Sequence, residues 1–185
     1  MGRSVLVTVL VLVGAAGHAR LQQRSARIEN SRPPAVRIRA SAEEVTRRFF
    51  QWRERQRAAG QPISGNLFVL SPAIYVYNAA GQCLQKRERS SETIPFLQAL
   101  RSQAASDLLK GPAGACQAPP LSELVAIFDQ LQPYRKDLLE GGHPVLVVWS
   151  CTERSSCREQ DRAVARQRRR LQQLGVGLVE IVLHR

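Results

Sequence analysis

The last forty residues constrain the fold most. Val145 to Trp149 (VLVVW) is an unbroken apolar run, the pattern of a strand buried on both faces. Cys151 to Ser156 reads as a loop, and Cys157 to Leu174 as a helix of about seventeen residues. Gly175 and Gly177 bracket a turn, and Leu178 to Leu183 (LVEIVL) forms a second apolar run. Strand, helix and strand in that order make a βαβ unit, whose strands are expected to be parallel with a right-handed crossover.

The opposite end of the chain has a different character. Arg3 supplies a positive start, and Val5 to Ala16 is an apolar run of twelve residues. Gly17-His18-Ala19 then places small residues where a signal peptidase reads them. A membrane span needs about 20 apolar residues, so residues 1–19 are read as a signal peptide cleaved after Ala19. The expected location is exported, periplasmic or extracellular. If Ala19 is not cut, the same segment becomes a membrane tether. Residues 20–40 carry six arginines and one glutamate, together with Pro33-Pro34, and read as a basic linker. Residues 41–185 are then a single α/β domain, long enough to bury a core.

Within that domain, Ser41 and Glu44 form a capping box. Val45, Phe49 and Trp52 follow on one helical face among arginines, and Gly60 stops the helix. Leu67 to Leu70 reads as a short strand. Ala73 to Tyr77, the turn Asn78-Ala79-Ala80-Gly81 and Gln82 to Lys86 form a hairpin. A further helix is expected with Pro95 in its first turn and Leu97, Leu100, Ala104 and Leu108 facing inward, up to Lys110-Gly111. Another is expected to be capped by Ser122 and to bury Leu124, Val125, Phe128 and Leu131. Pro133 separates it from a short helix over 134–140.

Charge invites a binding function. The formal net charge is +12 at pH 7. An acidic exported protein or an anionic membrane surface would suit that sign. Of the 27 basic residues, only Lys86, Lys110 and Lys136 are lysine. That arginine skew is also what a GC-rich genome produces without selection for binding. Aromatic residues do not interleave with the arginines, so a base-stacking nucleic-acid surface is not indicated.

Four cysteines in an exported chain point to disulfides. Three pairings are possible, and the most local one joins Cys83 to Cys116 and Cys151 to Cys157. No cofactor motif is present. The lack of a Cys-x-x-Cys pair, with His143 and His184 the only histidines after the expected cleavage, argues against a zinc site. The segment Trp149 to Gln160 is where thiol chemistry would lie. Ser156 and Glu159 read as a capping box, which puts Cys157 at the first helical position. The helix N-terminus, with Arg154 and Arg158, would lower the Cys157 thiol pKa, and Cys151 is its partner. Cys151 and Cys157 are thus either a redox pair or a structural clip; Cys83 and Cys116 are structural candidates.

The run GGHPVLVVWSC resembles the buried strand of exported thioredoxin-like proteins, at Gly142, His143, Pro144, Val145, Leu146, Val147, Trp149 and Ser150. The resemblance covers Gly141 to Leu183, with residues 141–185 as the core. It implies that the strand leads into a dithiol opening a helix and then into a parallel strand. A hairpin such as Ile74 to Lys86 also occurs early in many exported members. In this sequence Glu153 stands where the family's nucleophile falls, and Ser156 where its resolving cysteine falls. Cys157 would stand in for the second cysteine, with Cys151 displaced. A helical insertion, 94–140, precedes the strand, and the family's closing hairpin with its cis-proline does not follow the second strand. The expected fold class is therefore α/β, with a thioredoxin-like βαβ unit at the C-terminus, an N-terminal hairpin and added helices.

Overall fold

The structure is a computed structural model that describes residues 33–60, 72–100, 116 and 118–184. The signal-like segment 1–19, most of the basic linker, the expected strand at Leu67 to Leu70 and the inward positions Ala104 and Leu108 lie outside the described residues.

Among the described residues, five strands form one mixed sheet. They are β1 (Ala35–Ser41), β2 (Ala73–Tyr77), β3 (Cys83–Arg87), β4 (Val145–Cys151) and β5 (Gly177–His184), in the order β1-β5-β4-β2-β3. β4 and β5 are parallel, with Val147 opposite Val179, and they are joined through the long helix as the sequence predicts. β2 pairs antiparallel with both β3 and β4. β1 runs parallel to β5 and forms the edge.

β1 corrects the reading of residues 20–40 as linker, since residues 35–40 are sheet. Val36, Ile38 and Ala40 are buried while Ala35, Arg37 and Arg39 are exposed, the period-two pattern of a strand with one packed face. Its arginines made the segment look like linker. On an edge strand, charges can point to solvent and discourage pairing with other chains.

Helices cover both faces of the sheet. They are α1 (Ala42–Ala58), α2 (Ser90–Ala99), α3 (Leu121–Ile127), α4 (Arg135–Glu140) and α5 (Ser155–Gln173), with a 3-10 segment at Asp129–Tyr134. On one face, Val45, Phe49 and Trp52 of α1 join Leu124, Val125, Phe128 and Leu131 against Val147, Trp149, Val179 and Ile181. On the other, Leu97 of α2, Leu100 at its C-cap, and Val164 and Leu171 from α5 pack on Ile74, Val76, Leu146, Val148 and Leu178. β4 thus feeds both cores by alternation, which is why it reads as an unbroken apolar run.

The helix starts differ in detail from expectation. Ser41 caps α1 by accepting the Glu44 N–H at 3.0 Å, but the Glu44 carboxylate pairs with Arg48 instead of closing the box. α2 begins at Ser90, so Pro95 lies inside it; Thr93 N–H already bonds the Arg89 carbonyl. α3 begins at Leu121, with Pro120 and not Ser122 at the cap. The Leu121 N–H instead bonds the Gly81 carbonyl at 2.9 Å, a tertiary contact that replaces a local cap.

Candidate functional site

β4 ends at Cys151, and α5 begins four residues later at Ser155. A disulfide joins Cys151 to Cys157 across this turn, with a Cα–Cα distance of 5.3 Å. The helix starts two residues earlier than the proposed capping box requires. Arg154 is the N-cap without a side-chain bond, so Ser156 is not the cap and Cys157 is the third helical residue. Its backbone still belongs to the first turn, where amide groups lack helical acceptors and carry partial positive charge.

The two cysteines are unequally buried. Cys157 is fully buried, whereas Cys151 is partly exposed. The member of the pair with solvent exposure is thus Cys151 and not the helix cysteine singled out from its position.

The turn is braced without the disulfide. Ser150 Oγ donates to Asp161 Oδ1 at 2.5 Å, and Arg37 Nη2 donates to Asp161 Oδ2 at 3.0 Å. Gln160 Nε2 donates to the Trp149 carbonyl at 2.8 Å, and Thr152 N–H bonds the Leu183 carbonyl at 3.1 Å. Behind Asp161, buried Glu180 pairs with Arg168 and lies 3.9 Å from Arg37. These contacts tie β1, β4, β5 and α5 together beside the disulfide. Sequence reasoning placed Ser150 and Gln160 within the candidate segment without a role and did not find Asp161 or Arg37. One signal was there for Asp161: it stands four residues after Cys157, one helical turn along the same face.

The hairpin completes the surroundings. In the β2–β4 register Ala73 faces Trp149. Continued by one residue, that register sets buried Pro72 across from Ser150, beside Cys151. The hairpin that precedes β4 in the chain therefore flanks the end of the strand that carries Cys151.

The second disulfide, Cys83–Cys116, has a Cα–Cα distance of 5.4 Å. Cys83 pairs with Tyr77, which faces Val145, so this bond lies at the other end of the sheet. Tyr77 Oη donates to the Pro119 carbonyl at 3.1 Å in the same region. Together with the Leu121–Gly81 bond, these contacts clip the segment leading into α3 onto the hairpin. Burial, with the charges of Tyr75 and Glu123, keeps the Tyr77 phenol protonated far above its ordinary range. Burial also raises the Glu123 carboxyl, whose Oε2 has no partner.

No group of three or more His, Cys, Asp or Glu among the described residues is arranged to hold a metal ion. No described helix is long and apolar enough to cross a membrane. Comparison with protein-family models, with curated proteins and with solved structures finds no match.

Proposed function

We propose that this chain is an exported thioredoxin-like domain whose Cys151–Cys157 disulfide exchanges with thiols of another protein. The observation that carries this reading is the site's asymmetry: a partly exposed Cys151 at the end of a buried strand, and a buried Cys157 in the first turn of the following helix. Thiol–disulfide exchange uses that division of labour. An incoming thiolate attacks Cys151 Sγ and forms a mixed disulfide, and Cys157 leaves as a thiolate beside the positive end of α5. A second thiol of the partner then attacks the mixed disulfide and releases Cys151. The partner's two thiols are oxidised to a disulfide, and Cys151 and Cys157 are reduced to thiols.

Two further features support the reading. The braces at Ser150, Gln160 and Thr152 hold the turn when the sulfurs part, so reduction need not unfold it. The thioredoxin-like comparison gains from the sheet order, in which the β2–β3 hairpin flanks the buried strand. Export is supported by the pattern of residues 1–19 and by two disulfides, which persist in oxidising compartments.

Redox titration with disulfide mapping tests the proposal. A potential above about −300 mV is expected for an exchanging bond, with insulin-reduction activity lost in Cys151→Ser. A lower potential, or rates equal to those of the Cys151→Ser protein, overturns it. The five residues between the cysteines, instead of two, favour a second reading: a structural clip in a non-catalytic basic protein that binds an acidic protein or a membrane surface. The low-potential outcome would favour that reading.

A further inference from the structure

The solvent face of α5 carries an arrangement that the site does not use. Arg158, Arg162, Arg166, Arg169 and Arg170 are all exposed. At about 100° per residue they fall within roughly a 120° sector, and Arg158 to Arg170 spans about 18 Å along the axis. The buried positions Cys157, Gln160, Val164, Gln167 and Leu171 occupy the opposite side. Glu159 is the one acidic side chain in the arginine sector.

These arginines differ from others in the molecule. Arg48 pairs with Glu44 and Asp129, Arg57 with Glu54, and Arg37 and Arg168 with Asp161 and Glu180. The five on the α5 stripe make no ion pair among the described residues. A GC-rich genome accounts for the number of arginines; it does not account for five aligned on one face with so little acidic compensation.

The face is also free of apolar anchors. The large hydrophobic residues exposed among the described residues are Phe50 and Tyr134, neither of them on α5. An interfacial membrane helix buries an apolar face in lipid, and the apolar face of α5 is already spent on the sheet. What remains is a straight cationic ridge with the disulfide at its N-terminal end. Contact there is ionic, fast to form and sensitive to salt, which suits a passing partner more than a permanent one.

We infer that the α5 arginine ridge is the docking face for an acidic segment of a thiol-bearing partner protein, which it delivers to Cys151. The docking stands on the ridge alone; its coupling to Cys151 rests on the exchange reading. Five arginines over about 18 Å match five or six residues of extended acidic chain, at about 3.3 Å per residue. Arg158, one residue beyond Cys157, sets the end at which the partner's thiol arrives.

The test uses the oxidised full chain and three labelled peptides: a glutamate-rich peptide with two cysteines, the same peptide with glutamine for glutamate, and the acidic peptide with serine for both cysteines. Anisotropy of the serine peptide reads docking, and reduction of Cys151–Cys157 by the cysteine peptides reads exchange. Docking is expected to weaken roughly tenfold or more in R162Q/R166Q/R169Q and between low and high salt. R162K/R166K/R169K is expected to keep most of it. R47Q/R53Q/R55Q on α1, an equal change in net charge, is expected to leave it unchanged. The acidic dithiol is expected to react roughly tenfold faster than the neutral one at low salt, while reduction by dithiothreitol is the same for all variants.

Equal weakening by the α1 variant overturns the inference, because net charge alone would then be at work. So does retention on phosphatidylserine vesicles without peptide binding, which would make the face a lipid contact. Peptide binding without exchange overturns the exchange reading and leaves the docking face standing. Exchange without charge preference overturns the docking face and leaves the exchange reading standing.

Discussion

At the scale of single residues, burial decides which groups carry consequences. Glu123 stands near the start of α3, where the helix dipole favours a carboxylate, yet burial raises its pKa and leaves Oε2 unpartnered. A carboxyl raised in the folded state binds protons more tightly there than in the unfolded chain. Stability therefore falls as pH rises from the unfolded carboxyl value, about 4.3, through the folded one. Glu123→Gln is expected to raise the Tm at pH 7 and to leave it unchanged at pH 3, where the wild-type side chain is neutral in both states; thermal melts at the two pH values check this. Glu180 behaves differently because it has partners. Arg168→Met would strip the nearer cation from a buried carboxylate and leave only Arg37 at 3.9 Å. A loss of about 3 kcal/mol in a denaturant titration is expected, close to what breaking a buried pair costs. Neither residue stood out in the sequence, because a lone acidic residue in a helix or strand looks the same whether it meets water, a cation or nothing.

At the scale of elements, local signals held where the chain solved its own problem and failed where a neighbour solved it. Ser41 caps α1 through its own side chain, and Ser41→Ala is expected to cost about 1 kcal/mol by chemical denaturation. Ser122 and Ser156 looked equally good as caps and are not used. The first is displaced by the Leu121–Gly81 bond, and the second by a helix that starts at Ser155 under the geometry of the disulfide turn. The disulfides were legible as the most local pairing, and their consequences differ by loop length. Chain-entropy reasoning gives about 4 kcal/mol for Cys83–Cys116 and about 2 kcal/mol for Cys151–Cys157. Replacing each pair by alanine and comparing Tm values is expected to show the larger drop at Cys83–Cys116. The hydrogen bonds around the shorter loop reduce its dependence on sulfur further.

At the scale of the whole molecule, β1 is the element that the composition hid. It extends the sheet beside β5, and its Arg37 reaches over to Asp161 and Glu180. A chain starting at Arg32 keeps all of β1 and serves as the reference. A chain starting at Ala42 loses the burial of Val36, Ile38 and Ala40 and is expected to be less stable by on the order of 4 kcal/mol; urea titration of the two truncations separates the cases. The sequence alone determined the βαβ unit, the hairpin and which residues of α1 and α3 face inward, because each depends on periodicity or on separation along the chain; among three possible cysteine pairings the structure selects the most local. Tertiary structure alone decided that a linker-like arginine run is an edge strand, that Cys151 and not Cys157 meets solvent, and that Arg37 and Ser150 meet on Asp161 beside them. Those outcomes depend on which strands become neighbours, and residues far apart in sequence carry no local mark of the sheet order that brings them together.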